Sequence, residues 1–452
     1  MSTVIEKQDE PSTTYQAALT NSMRNLAIFG GPRAVKGIYF DRCRMAGVKE
    51  VLQIAIYAFM GKNTQAGSGG PVSKLEEGFC RLTNTEYALT MNSGTATLHS
   101  AFFAAGIKPG DEVIVPAYTF FASAAPVLQL GAIPVFCDID ERTLTADPDD
   151  VERRITPKTR AICVVHVWGN PARMDRFAEI ARKHNIALIE DASHAHGATY
   201  KGKPIGSWGD VGCFSLQGEK PVSGGELGIA VTNNPKLYDR MLILGHFGRI
   251  DSDQKANSFQ TDGFSLGLKY RPHLFGVLLA LGALDRLDDL NKRRKRNYAI
   301  LAEELRGCDA LQAIDSYPEA ERAGFAGFIL RYSPEYAGGW NFSAFAKAAQ
   351  AEGVPIEIDR YSAIGGVPGR LLAQTQLFSD LDYSQFGGCI GCIPQGSKRT
   401  DSLDMFPASK KVAGRLLMLP AFTKVSEKFI RRCAKALRKV VSIASQNQDC
   451  RL

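Results

Sequence analysis

The stretch Cys213-Phe-Ser-Leu-Gln-Gly-Glu-Lys-Pro-Val-Ser-Gly-Gly-Glu-Leu-Gly228 decides how this chain is read. Its apolar run from Val211 to Leu216 has the make-up of a short buried strand, which Gly218 breaks. Lys220 follows Ser215 by five residues, and Ser223-Gly224-Gly225 then leads into a second strand-like run, Ile229 to Thr232. A lysine just past a buried strand, among glycines that let the backbone come close, suits condensation with an aldehyde. Partial burial there lowers the amine's pKa and frees its lone pair. Ser215 would set a hydroxyl beside any anion the ligand carries. Taken alone, the segment also reads as an ordinary solvated loop lysine, the commonest state of that residue.

Upstream of this stretch a repeating pattern supplies the context. Tyr87 to Met91, Glu112 to Pro116, Ile133 to Cys137, Ala161 to Val165 and Ile186 to Ile189 are apolar strand-like runs. With Val211 to Leu216 and Ile229 to Thr232 they make seven. Helical segments fall between them: Ala96 to Ala105, a piece ending at Leu130, and Met174 to Lys183. Strands alternating with helices imply a mainly parallel sheet covered on both faces, with ligands beyond the strands' carboxyl ends. Ser93-Gly94-Thr95, Tyr118 to Phe121, His166 to Trp168, Asp191 to His194 and Ser215 to Lys220 all fall on that rim.

Each rim cluster has a chemical and an ordinary reading. Asn92-Ser-Gly-Thr95 ends a strand and opens a helix, so its amides form an anion cradle, or it is a plain Ser-Gly turn. Asp191 sits at a strand end, where a carboxylate either pairs with a protonated ring nitrogen or caps the next turn. His194 is placed to contact that ring or to pack in the interior. Phe120 is placed to stack on a planar ring, or to serve as core.

Outside this region the chain is less informative. Its 452 residues suffice for two or three domains at roughly 150 residues each. Composition is ordinary for a globular protein, and the net charge of +7 does not separate small anionic ligands from nucleic acid. Residues 1–25 read as a flexible tail, 26–307 as the larger unit and 308–452 as a smaller α/β domain. Helices are expected over Val48 to Met60, Val72 to Leu82, much of Ser265 to Gly307, and Glu427 to Ala444. Phe328 to Leu330 and Ile356 to Ile358 are further strand candidates. Lys292-Arg-Arg-Lys-Arg296 reads as a solvated helix face. Ten cysteines are scattered, and the Cys389-Ile-Gly-Cys392 pair has no second pair or nearby histidine to complete a metal site. Met1 to Ala18 lacks a basic start and apolar core, and no apolar run approaches the ~20 residues of a membrane span. A reduced cytoplasmic compartment is the expectation. No GxGxxG follows the first strand, so a nicotinamide dehydrogenase fits poorly.

The order anion cradle, aromatic, Asp, then Ser-x-x-x-x-Lys resembles the fold type I pyridoxal-phosphate enzymes, and more closely the DegT/StrS-type aminotransferases of amino-sugar and aminocyclitol synthesis. The motifs are Asn92-Ser-Gly-Thr-Ala96, Asp111-Glu-Val-Ile-Val-Pro-Ala-Tyr-Thr-Phe120, Glu190-Asp-Ala-Ser-His-Ala-His-Gly197 and Phe214-Ser-x4-Lys220. Phe29-Gly-Gly-Pro32 is similar to the branch holding inosose and aminohydroxybenzoate enzymes. The resemblance implies an aspartate-aminotransferase-like three-layer α/β domain with a seven-stranded sheet, and a smaller C-terminal α/β domain. It implies that Lys220 bonds the cofactor's aldehyde and shuttles a proton, and that Asp191 pairs with the pyridine nitrogen. Phe120 would stack on the ring and His194 would lie near its hydroxyl, while Ser93, Gly94, Thr95 and Ser215 surround the phosphate. Lys269 would reach the phosphate from the neighbouring subunit of a homodimer with shared active sites.

Three residues depart from the family pattern. The family's Gly-Glu-Gly-Gly is Gly225-Glu-Leu-Gly228, placing the bulkier Leu227 where pocket shape is at stake. Its Asn-Tyr-Arg is Lys269-Tyr-Arg271, and Glu219 stands before Lys220 in place of a small or polar residue. Lysine at 220 separates the chain from the dehydratase members, which carry histidine there. The resulting expectation is nitrogen transfer from glutamine or glutamate to a keto-sugar or keto-cyclitol, without nucleic acid or membrane partners. The alternatives are other chemistry at Cα on the same cofactor (decarboxylation, oxidation or elimination), or a regulatory or binding protein that does not turn over.

Overall fold

The computed structural model describes residues 20–37, 39, 46–65, 69–262, 264–361, 364, 367, 369–379 and 402–447. The Cys389/Cys392 pair and the first nineteen residues lie outside them.

The strands are β1 Tyr87–Met91, β2 Glu112–Pro116, β3 Ile133–Cys137, β4 Thr159–Val165, β5 Ala187–Asp191, β6 Val211–Ser215 and β7 Gly228–Thr232. They form one sheet in the order β1-β7-β6-β5-β4-β2-β3. Only β7 runs against the rest, antiparallel to both β1 and β6. The seven expected strands are all present, and the sheet is mainly parallel.

The continuous apolar runs have a simple cause. Side chains alternate faces along a strand, and here both faces are covered. Val113 and Val115 join Phe136, Cys163, Ile189 and Cys213 in one core layer. Ile114 joins Val135, Ile162, Leu188, Phe214 and Val231 in the other. Helices close each side: α1 Val48–Phe59, α2 Gly70–Thr83, α3 Gly94–Ala104, α4 Met174–His184, α5 Pro235–Gly245, α6 Leu274–Asp285 and α7 Leu287–Glu304. Helices α3 and α5 supply Phe102 and Met241 to the first layer, whereas α2, α4 and α6 supply Phe79, Phe177 and Val277 to the second. Each such buried side chain contributes about 1.5–3 kcal/mol.

Two helical expectations are shortened. The segment ending near Leu130 is a 3-10 turn, Phe121–Ser123, followed by the short helix Ala125–Gln129. Pro126 explains the division, because proline tolerates a first helical turn and not an interior. Of the expected helical stretch Ser265 to Gly307, residues 265–273 are not helical. In α7, Arg294 is buried and donates to Gly324 O at 2.8 Å, while Arg293 and Arg296 pair with Asp289 and Glu427. The Lys292–Arg296 run is therefore partly structural.

A second, antiparallel sheet holds β8 Leu311–Ala313, β9 Phe328–Tyr332, β10 Glu357–Ile358 and β11 Leu416–Leu419, in the order β8-β9-β11-β10. Helix α8, Glu427–Ser445, packs on it through Ile430, Leu437 and Val440. Leu26 and Val35, grouped with the larger unit in the sequence reading, belong to this same core and pack on the smaller sheet, as does Met23 from the stretch read as a tail. Glu352 supplies the reason. Its buried carboxylate accepts from Ala27 N and Ala34 N, both at 2.9 Å, and from Lys439 Nζ at 2.7 Å.

Glu190, beside Asp191 on β5, points to the opposite face. Its fully buried carboxylate accepts from the backbone amides of Gly206, Trp208 and Gly209 at 2.7–2.9 Å and pairs with His166 Nε2 at 3.2 Å. Glu190→Ala leaves those three donors without their acceptor. It is expected to cost about 3 kcal/mol or more of unfolding free energy, measured by urea denaturation.

Candidate active site

One cavity of about 370 Å³ opens at the carboxyl ends of β1, β2 and β4–β6. Ser93, Gly94, Thr95, Phe120, Asp191, His194, Ser215 and Lys220 all line it. Eight residues spread over 128 positions of chain are thus brought together by the parallel sheet. Lys269 is the exception: its side chain is exposed and does not line the cavity, and among the described residues its backbone carbonyl alone is engaged, accepting from Asn92 Nδ2 at 3.3 Å.

The floor is made by close approach. Ser93 caps α3, its Oγ accepting from Ala96 N at 3.0 Å. A Cβ on Gly94 would stand 2.7 Å from Ser215 Cβ, and one on Gly228 would stand 2.2 Å from Ser93 O. Only glycine at these two positions lets the start of α3 rest on the ends of β6 and β7. The positive end of the helix dipole thereby meets the Ser215 hydroxyl, a suitable seat for a phosphate.

Asp191 is buried, with Oδ2 accepting from Ser123 Oγ at 2.7 Å and Oδ1 from Ser193 N at 3.2 Å. Among the described residues no cation lies within salt-bridge distance of it. A buried carboxylate without a counter-ion is costly, and a ligand bearing a protonated ring nitrogen would relieve that cost. Lys220, half-buried, has its pKa pulled down to about 8. Loss of water around the amine is the main cause, and the Arg360 guanidinium adds to it. Asp191 and Glu219 oppose the shift.

His194 is held neutral, far below the usual imidazole range, by burial and then by Lys220. Trp168 N–H donates to His194 Nδ1 at 3.2 Å, so the ring's own proton sits on Nε2, 3.2 Å from Tyr361 Oη. Trp168 stacks on both rings, 5.2 Å from His194 and 4.9 Å from Tyr361. Phe120 keeps 44 % of its surface open and lies 6.1 Å from Tyr361. A planar ring entering the cavity would find aromatic walls, a carboxylate, an amine and an anion seat, which fit pyridoxal phosphate.

Sequence reasoning missed Ser123, Arg360 and Tyr361. Ser123 lies four residues after Thr119 in the rim segment, and its hydroxyl carried no signal of its own. Arg360 and Tyr361 arrive from β10 of the smaller sheet, a juxtaposition that only the tertiary fold creates. Leu227 is absent from the cavity wall. It is fully buried in the second core layer, against Gly224 and Gly276. Its bulk fills space between β7 and α6.

Solved structures share this architecture. A 3-amino-5-hydroxybenzoic acid synthase superposes with a TM-score of 0.75 at 24 % identity, covering 90 % of this chain and 99 % of that one, a likeness of fold. DesI, crystallised in the presence of its TDP-sugar product, gives 0.75 at 27 % identity over 94 % and 98 % of the two chains. The arrangement is fold type I of the aminotransferases. The chain belongs to the DegT/DnrJ/EryC1/StrS aminotransferase family, whose model matches residues 49–361. It is similar to the GDP-perosamine synthase of Escherichia coli O157:H7, 37 % identical over 51 % of this chain and 62 % of that protein, less than two thirds of the relative's length. A Streptoalloteichus tenebrarius protein assigned by name as an L-glutamine:3-amino-2,3-dideoxy-scyllo-inosose aminotransferase is 34 % identical over 62 % of this chain and 67 % of its own length.

The lowered pKa of Lys220 is directly testable in cofactor-free protein. At pH 8 about half of this amine is unprotonated, about 100-fold more than for an ordinary lysine. Reductive alkylation of Lys220, followed by peptide mass spectrometry, is expected to rise to a plateau with a midpoint near pH 8. Asp191→Asn removes a charge that favours the ammonium form, so its midpoint falls lower still.

Proposed function

We propose that this protein is a pyridoxal-phosphate-dependent aminotransferase that moves nitrogen from glutamine or glutamate to a keto group on a sugar or cyclitol. The observation that carries the reading is the buried carboxylate of Asp191, without a cationic partner among the described residues, in one cavity with an amine whose pKa is lowered to about 8. Family membership and the relatives' printed names support it. Bound there, the cofactor would supply an aldehyde that condenses with amines and a ring that draws electrons from the carbon bearing nitrogen.

The chain's own residues divide the remaining tasks. Lys220 would tether the cofactor, and its free amine would be the base that takes up and carries the proton from the donor's Cα. Asp191, oriented by Ser123, holds the ring nitrogen protonated. Gly94, Thr95 and Ser215 receive the phosphate, with Ser93 fixing the helix that presents them. Phe120 and neutral His194 confine the ring, and His194 Nε2 is positioned by Tyr361 Oη.

We further read the protein as a cytoplasmic homodimer in which Lys269 serves the partner's phosphate seat. Exposed apolar side chains support this reading: Val48, Leu52, Ile56 and Phe59 on α1, with Phe264 and Leu266 near Lys269. Among the described residues no helix is long and apolar enough to cross a membrane. Leu227, packed in the core, lends no support to another reaction at the same carbon.

The visible spectrum tests the reading. Purified protein supplied with pyridoxal phosphate is expected to show a yellow absorbance that fades when glutamine is added. Lys220→Ala should lose nitrogen transfer by about 10³-fold or more, and Asp191→Asn by about 100-fold. A protein that stays colourless with added cofactor overturns the proposal.

A further inference from the structure

If the reading above holds, and this inference rests on it, one cavity must serve two unlike molecules in turn. The donor carries an α-carboxylate. The acceptor's reacting end is a ring of hydroxyls and a ketone. A fixed cation suited to the first would be left unmatched by the second.

Among the described lining residues the cations are Lys220 and Arg360, and Lys220 is occupied with the chemistry. Arg360 is therefore the available partner for a carboxylate, and it is already holding one. Its Nη2 donates to Glu219 Oε2 at 3.2 Å, with the two side chains 50 % and 67 % exposed. The pair spans the cavity mouth. Glu219 directly precedes Lys220 on the loop from β6, while Arg360 follows β10 of the smaller sheet.

The backbone at Arg360 is fixed on both sides. Asp359 Oδ2 accepts from Tyr118 Oη at 3.0 Å, and Tyr361 is stacked on Trp168. Among the described residues the guanidinium has one polar contact, that to Glu219, and both side chains are exposed. An exposed single-contact pair of this kind contributes little. A free carboxylate that meets the guanidinium fork with both oxygens, in a partly dehydrated cavity, binds better.

We propose that Glu219 is an internal stand-in for the donor's carboxylate. Arg360 holds Glu219 while the cavity is empty of donor, exchanges it for the α-carboxylate of the amino acid, and takes it back when that carboxylate leaves on the keto acid. The mouth is then electrically balanced for the hydroxyl-rich acceptor. Arg360 is a donor-binding residue, and Glu219 a competitor covalently built into the site. No bond is made or broken in the exchange.

The exchange makes opposite predictions for its two members. In the holoenzyme, Arg360→Gln should raise the half-saturating glutamine concentration of the first half-reaction by about 30-fold, with the limiting rate within a few-fold, and Arg360→Lys should recover part of the loss. Glu219→Gln should lower it by about threefold, because a competitor is gone. Wild type should prefer glutamine to its α-carboxamide analogue, and Arg360→Gln should erase that preference. Calorimetric affinity of the holoenzyme for 2-oxoglutarate gives a readout independent of turnover, with the same signs in both variants. Should wild type show no spectral response to either glutamine or glutamate, the transamination reading fails, and the exchange is judged on 2-oxoglutarate alone. An Arg360→Gln variant with undiminished 2-oxoglutarate affinity overturns the exchange. So does a Glu219→Gln variant that loses affinity as Arg360→Gln does, since the pair would then be a structural clasp.

Discussion

The contact on which the site depends is between backbones. The start of α3 can lie on the ends of β6 and β7 only because Gly94 and Gly228 have no side chain. That seating fixes where the first turn of a helix, with its partial positive charge, meets the Ser215 hydroxyl. It also fixes the strand β6 that leads to Lys220, so the start of α3 and the amine are set by one packing event. Asp191, one strand further along, inherits its place from the parallel pairing of β5 with β6. A wider separation of α3 from the sheet would therefore draw Ser93, Gly94 and Thr95 away from the Ser215 hydroxyl.

The sheet was legible in the sequence because both its faces are buried. Strands covered on two sides need apolar residues at every position, and five- to seven-residue runs such as Ile133–Cys137 are hard to read otherwise. The small sheet was less so. Leu416–Leu419 is an apolar run of four, without enough length or alternation to declare itself. The rim clusters were legible as candidates, and the chain order of their chemistry made them a set. What could not be read were the residues whose meaning lies in distance. Ser123 matters because it meets Asp191, and Tyr361 because it meets His194, 68 and 167 positions away in sequence. Leu227 shows the converse. A substitution within the motif suggested an altered pocket, yet the alternation of β7 and its approach turns the side chain into the core.

The polar interior is arranged by strand parity. Glu190 and Asp191 are neighbours in sequence with opposite duties, because adjacent residues of a strand face opposite layers. Glu190 ties down the 206–209 loop on one face and is saturated with donors. Asp191 faces the cavity with fewer partners, and its unspent negative charge is what a cationic ring can use. The same division recurs among the histidines: His166 is committed to Glu190 and Ala172 N, while His194 keeps an Nε2 proton toward Tyr361.

The clamp at Glu352 has a consequence for how the protein comes into being. The large sheet is complete once residue 232 has been made, and its helices soon after. The smaller core instead combines Met23, Leu26 and Val35 with Leu417, Leu437 and Ala444, pieces separated by nearly the whole described chain. Closing so long a loop is slow, and this core cannot be completed before the last of these residues leaves the ribosome. Arg360 and Tyr361 are delivered by that core. By this order Lys220 and the start of α3 come together before Arg360 and Tyr361 join them, and the cavity's lining is completed last.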